Sequence, residues 1–302
     1  MARNRSDNNT KRYHSETMRL LFGRSSCRDF LDKKIPSDVL QVILQAGIHA
    51  PTAGNLQPYS IIRIEDDEAK KKLAEKCEQS FIGKAPTLLL FCIDLHRNER
   101  WADLEVAPYS ATNSFRHFWV SFQDVVICAQ SICTAADAMG LGSVYIGTVI
   151  DFPAYIQATF KLPKGVFPVV LVVMGYPRTR PKPKNKLGVD VVVHSERYRE
   201  MADQELLDAY NVKYPGEKVL AGEKRLETVL KVCRKVHGEK FAKKCAERIG
   251  KNGYINRAQN YFGLHYRADL MPNGNDEYLR LMEEFGFNWF KKYNPIFPSV
   301  SP

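Results

Sequence analysis

The sequence predicts a mixed α/β body of about 198 residues followed by a helical region of about 100. Up to about residue 198, helical spacing of apolar residues alternates with short β-branched runs, whereas beyond it only helical spacing recurs. The 302 residues are 44% hydrophobic with 18 Gly and 16 Pro, which suits a sizeable core and excludes collagen-like, coiled-coil and wholly disordered classes.

Residues 1–13 are polar and aperiodic and read as a mobile tail. A short helix follows over 15–22, then an arginine-bearing segment over 23–30. Ser37 reads as an N-cap before Val39, Leu40, Ile43 and Leu44, and Pro51 bounds that helix. Strands are expected over 59–64 and 87–93, with a charged surface helix over 67–77 between them. Residues 97–112 show no period and read as a loop. From Phe115 to Met139 apolar residues recur every three or four positions, the pattern of a helix buried on most sides, in a core or a dimer seam. A strand over 143–149, a helix over 152–160 and a buried β-branched strand over 166–174 complete the body, with a short extended run over 189–193. Helices are expected over 206–210, 226–236, 241–249 and 278–289.

The net charge of +10 is spread along the chain, with dense stretches only at 178–186 and 224–251. The longest uninterrupted apolar stretch, 166–174, is far short of the roughly 20 residues of a membrane span. The first 16 residues are polar with no hydrophobic segment behind them, and the 7 Cys have no close pairing. Unpaired thiols in the cytoplasm are therefore expected.

Three segments are dense in groups that suit a flat, phosphorylated, hydrogen-bonding ligand. Arg24-Ser25-Ser26-Cys27-Arg28 places Arg24, Ser26 and Arg28 on one side if extended, two guanidinium forks and a hydroxyl able to meet a phosphate. A surface loop with ordinary arginines is the plainer reading. In Ala50-Pro51-Thr52-Ala53-Gly54-Asn55-Leu56-Gln57-Pro58-Tyr59, a rigid connection holds two amides that both donate and accept. The alternative there is a turn whose Asn and Gln cap backbone groups. Gly140-Leu141-Gly142-Ser143-Val144-Tyr145-Ile146-Gly147 lets backbone N–H groups approach a ligand, although a lone glycine motif is weak.

In this order and spacing the three segments resemble the nitroreductase family of FMN-dependent flavoproteins. The resemblance runs from about Arg24 to about Ser195, and its most specific part is Arg-x-Ser-x-Arg-x-Phe followed by Ala-Pro-Thr-Ala-Gly-Asn-Leu-Gln-Pro-Tyr. Tyr59 stands where that family usually has Trp. The resemblance implies an α+β three-layer sandwich with a mixed, largely antiparallel central sheet flanked by helices, forming an intertwined homodimer with FMN in each interface cleft. It implies that Arg24, Ser25, Ser26 and Arg28 hold the cofactor, with Arg28 as the electrostatic stabiliser of the ring's carbonyl edge. Asn55 and Gln57 contact the ring or ribityl chain, while Tyr145, Ile146 and Gly147 lie near the flavin N5. Lys184 and Lys186 form a late basic pair at the phosphate, and Pro51, Thr52 and Ala53 face the flavin held mainly by the other subunit.

The implied chemistry is ping-pong: NAD(P)H reduces the flavin and leaves before a planar acceptor, such as a nitroaromatic or quinone, takes the electrons. Phe115, Phe118, Trp119 and Phe122 are candidate stacking partners for that acceptor, although their helical spacing equally suits core packing. A reductive dehalogenase or ene-reductase is the alternative on the same scaffold. A flavin- or nucleic-acid-binding regulator using the basic helices of 224–251 is the alternative from another class. Cys27, between two arginines, suits a thiolate, but a bystander thiol explains it equally. Cys233, His237 and Cys245 lack the four-ligand spacing of a zinc site, so no metal is expected. The helical region 199–302 departs from the family's usual end and is expected as a cap or dimer-interface extension.

Overall fold

The computed structural model describes residues 14–293, so the tail expected over 1–13 lies outside the described residues. Ser15 opens α1 (Glu16–Gly23), its Oγ accepting from the Met18 amide at 3.2 Å. Ser37 is not a cap. It is the first residue of α2 (Ser37–Ile48), and Pro36 holds the cap position without a side-chain bond. Strand β1 (Tyr59–Ile64), helix α3 (Asp67–Lys76) and strand β2 (Thr87–Asp94) follow the sequence pattern.

The first half of the loop expected over 97–112 is helical, as part of α4 (Leu95–Leu104). Asp94 nucleates it, Oδ1 accepting from the Arg97 amide at 2.9 Å, and the helix buries only Leu95, Asn98 and Ala102, too few for a visible period. Ser114 caps the long α5 (Phe115–Ala138). Strand β3 (Gly142–Ile146) is shorter than expected because the chain turns into a 3-10 segment at Thr148–Asp151. Helix α6 (Pro153–Phe160) and strand β4 (Val166–Gly175) complete the body.

The four strands form one sheet in the order β1-β2-β4-β3, every neighbouring pair antiparallel. Every residue of β2 and of β4 is buried, so the two central strands are covered on both faces, the signature of a sheet between helical layers. The only parallel pairing among the described residues is the isolated bridge Ser26–Ser143, which makes the sheet mixed at the β3 edge. Helix α5 touches all four strands. By length and composition it resembles a membrane span, yet Val125, Cys128, Ala129, Ile132 and Cys133 are fully buried in the sheet-facing core. Helix α2 crosses α5 at Gly47, where a Cβ would stand 2.2 Å from Ile132 Cγ1. All seven cysteines are free.

The chain divides into two compact units between residues 183 and 184, and residues 276–293 group with the first. Phe285 and Phe287 are fully buried in that first unit, where Gly165 donates its amide to the Phe285 carbonyl at 2.7 Å and Phe287 meets Phe118 edge-on at 5.4 Å. The helix expected to reach 289 stops at Glu284, because Gly286 takes φ +86°. The second unit contains α7 (Val189–Val192), α8 (Asp203–Lys213), α9 (Glu223–His237), α10 (Glu239–Asn252) and α11 (Arg257–Asn260), which runs into a π turn at Tyr261–His265. Helix α12 (Asn275–Glu284) is the last. The extended run expected at 189–193 is instead the single turn α7, closed by the Val193 amide on the Val189 carbonyl at 2.8 Å.

Candidate functional site

The arginine segment lies against the open edge of β3 through the single bridge Ser26–Ser143, and its far end lies against the chain that leaves β4. The Cys27 amide donates to the Ser143 carbonyl at 3.0 Å, the Leu31 amide to Tyr176 at 2.8 Å and the Arg178 amide to Asp29 at 3.0 Å. Cys27 is the anchor: it is 1% exposed, and its Sγ donates to the Asp29 carbonyl at 3.4 Å. Burial pushes its thiol up, which removes the thiolate reading and leaves a structural cysteine. Gly142 makes the approach possible, since a Cβ there would lie 2.6 Å from Cys27 Cβ.

Four buried polar atoms along this edge have no partner among the described residues: Nε and Nη2 of Arg24, Oγ of Ser25 and Oγ of Ser143. Leaving a buried donor unmade costs about 1–3 kcal/mol, more when charged, so two orphaned guanidinium nitrogens are a costly arrangement without an acceptor. Hydroxyls beside a guanidinium are the donor set that a phosphate or an electron-rich carbonyl edge satisfies. The Arg24 guanidinium also lies 5.7 Å from the centre of the Tyr145 ring. Tyr145 donates its hydroxyl to Gln130 Oε1 at 3.2 Å, and burial raises its phenol. Ser26 is half-buried, Arg28 is exposed, and Ile146 is buried in the core, leaving only its backbone for a ligand. Gly147 is exposed, with nothing within 4 Å of where its Cβ would be, so a ligand has room against its backbone.

The turn after α2 is strained in a consistent way: Gly54, Asn55 and Gln57 take φ +59°, +54° and +47°. Gln57 is spent on holding it. Its Nε2 donates to the Ile48 carbonyl at 3.1 Å, and its amide donates to Thr52 Oγ1 at 3.2 Å. Asn55 is exposed; its backbone N–H donates to the Thr52 carbonyl at 3.1 Å, while its side-chain amide bonds to no described residue. Pro51 and Ala53 are exposed, with Thr52 between them half-buried. Two residues outside the sequence reading fix this turn. Asp124, 3% exposed on α5, accepts the Ala53 amide at 3.2 Å, and Arg97 donates to the carbonyls of Gln57 at 2.6 Å and Tyr59 at 2.8 Å. Asp124 carries no signal in a lone sequence because it sits in an apolar helical stripe; Arg97 became placeable only once α4 was known.

Of the four aromatics, Phe115 and Trp119 are half-exposed. Phe118 packs between Phe167 and Phe287 and therefore belongs to the core, while Phe122 stacks on Trp119 at 5.6 Å. The basic run from Arg178 is partly consumed internally: Arg178 pairs with Asp29 at 3.4 Å, and Arg180 reaches Asp137 and the Leu141 carbonyl, both at 2.6 Å. Lys184 and Lys186 are exposed in the second unit and form no ion pair with any described residue. No cluster of metal-ligating side chains occurs among the described residues.

The nitroreductase family model matches residues 21–176. The chain belongs to the nitroreductase family. It is 33% identical over 186 residues to the FMN reductase [NAD(P)H] of Bacillus subtilis, covering 61% of this chain and 75% of that one. It is 30% identical over 198 residues to the oxygen-insensitive NADPH nitroreductase of Salmonella typhimurium, covering 65% and 80%. Among solved structures, B. megaterium NfrA2 superposes with a TM-score of 0.70 at 25% identity over 92% of this chain and 100% of its own. A match over 92% of the chain takes in most of residues 199–302. The helical region that looked atypical for the nitroreductase family is therefore shared with that member.

Proposed function

We propose that this nitroreductase-family chain is an FMN-dependent oxidoreductase that passes electrons from NAD(P)H, in ping-pong turns, to a planar acceptor such as a nitroaromatic or quinone. The observation that carries the reading is the set of orphaned donors on Arg24, Ser25 and Ser143 along the edge where Gly142 lets the Cys27 segment pack close. When bound, FMN supplies the reversible two-electron carriage that no side chain of this site offers.

The chain's own residues bind and orient. Arg24, Ser25 and Ser26 donate to the anionic and carbonyl oxygens of the cofactor, and Arg28 adds positive charge at the ring's carbonyl edge. Asn55, whose side-chain amide bonds to no described residue on a turn braced by Gln57, Arg97 and Asp124, offers a donor and an acceptor to the ring edge or ribityl chain. The backbone at Tyr145, Ile146 and Gly147 is the surface against which the ring lies. Two chains form a homodimer in which Pro51, Thr52 and Ala53 face the flavin held mainly by the partner, and half-exposed Phe115 and Trp119 stack on the acceptor. The protein works in the cytoplasm. Initial-rate kinetics test this reading: NAD(P)H oxidation with a nitroaromatic or a quinone should give parallel double-reciprocal lines, and intersecting lines or no oxidation by the FMN-loaded protein would sink it.

A further inference from the structure

The second unit has a small hydrophobic core of its own, Val229, Cys245, Ile249 and Ile255, and beside it a cavity of about 470 Å³ between α9, α10 and the π turn. That volume lies within the usual range of small-molecule pockets. Its walls are apolar: Val232 and Val236 from α9, Phe241 and Cys245 from α10, and Phe262 from the π turn. The π turn presses close to α9 because residue 263 is glycine; a Cβ there would meet Val229 Cγ2 at 3.0 Å. Such single π turns are rare and concentrate at functional positions.

The polar groups around the cavity sort into spent and unspent. Asn256 and Gln259 close a capping box on each other, and Gln259 Nε2 also donates to Cys245 Sγ at 3.5 Å. His237, Lys244 and Arg248 remain, and none of the residues lining the cavity is a carboxylate. Neighbouring cations of this unit are matched: Arg234 pairs with Glu239 at 2.8 Å, Lys235 with Asp269 at 3.5 Å and Arg257 with Glu217 at 2.7 Å. Lys244 and Arg248, one turn apart on α10, pair with no described residue. An apolar cavity whose mouth carries two unmatched cations and no acid is complementary to one kind of small ligand.

We propose that this cavity binds a small amphipathic anion, an aliphatic or aromatic monocarboxylate whose apolar part fills the space among Val232, Val236, Phe241 and Phe262 and whose carboxylate meets Lys244 and Arg248. The site is separate from the flavin reading and stands whether or not that reading holds.

Calorimetric titration of decanoate into the full FMN-loaded chain tests it, with 1-decanol as the uncharged control. The wild type should bind decanoate saturably at one site per chain. Lys244→Glu with Arg248→Glu, both exposed and so harmless to folding, should weaken decanoate at least about tenfold, the loss of one charge-assisted hydrogen bond, and leave decanol unchanged. Val236→Trp, at a position 40% exposed, should abolish both while the flavin content stays constant. No saturable decanoate binding up to about 1 mM, the weak end of specific affinity, would overturn the proposal. So would decanoate affinity that is indifferent to both changes.

Discussion

Arg24 is a long cation whose Nε and Nη2 are buried without an acceptor, and this makes opposite demands on the empty and the loaded protein. Removing a buried unpaired donor relieves a desolvation cost, while removing a donor to a charged oxygen loses about 1.5–3 kcal/mol. Arg24→Ala should therefore leave the apoprotein's melting temperature unchanged or higher, and weaken FMN roughly tenfold to a hundredfold. Calorimetry on the apoprotein and a fluorescence titration with FMN read the two effects separately. Asp124 makes a different demand. Burial holds its carboxyl above the usual carboxylate range, with the Ala53 amide pulling the other way. As pH rises from the ordinary Asp value of about 3.9, the unfolded chain ionises first, so this residue's contribution to stability is lost through the window up to its raised folded value. Asp124→Asn cannot titrate. Melting curves should show the wild type gaining on the variant as pH falls from neutrality toward that ordinary value, and parallel curves would contradict the assignment.

At the scale of elements, the site depends on the arginine segment lying against β3, and two contacts set that approach. Gly142→Ala places a methyl 2.6 Å from Cys27 Cβ, and the overpacking should cost about 1–3 kcal/mol and lower FMN affinity with it. Arg180 ties the end of α5 to the start of β3 through Asp137, whose side chain is 4% exposed, and the Leu141 carbonyl. Arg180→Ala leaves both without that donor, and urea unfolding should show a loss of about 1–3 kcal/mol. Strands β1, β2 and β4 and helix α5 were legible in the sequence because each is long and has an unbroken pattern. Helix α4 was not, because three buried positions make no period, and α7 was not, because four residues with three β-branched valines adopt one helical turn as readily as a strand. In the site, the arginine and glycine segments were legible as chemistry, but their assembly was not. A sequence does not show that Cys27 bonds to the Ser143 edge, that Gln57 is spent on its own turn, or that Asp124 holds Ala53 from 71 positions away.

For the whole molecule, the net charge of +10 separates into matched and unmatched cations. Arg178, Arg180, Arg234, Lys235, Arg257 and Arg267 pair with carboxylates of their own unit, so four of the 15 basic side chains in the dense stretches 178–186 and 224–251 are matched internally. Duplex DNA should be bound weakly and released at physiological salt, which a filter-binding series against ionic strength checks. Light scattering should give twice the monomer mass, since the proposed site draws on two chains. If the orphaned donors at the β3 edge are a flavin site, the protein carries its own chromophore. The purified protein should be yellow and release FMN on denaturation, one per chain, and the Arg24→Ala protein should be paler at equal concentration and unaltered fold. A colourless wild type that takes up no added FMN, or an Arg24→Ala protein with full FMN content and affinity, would contradict it.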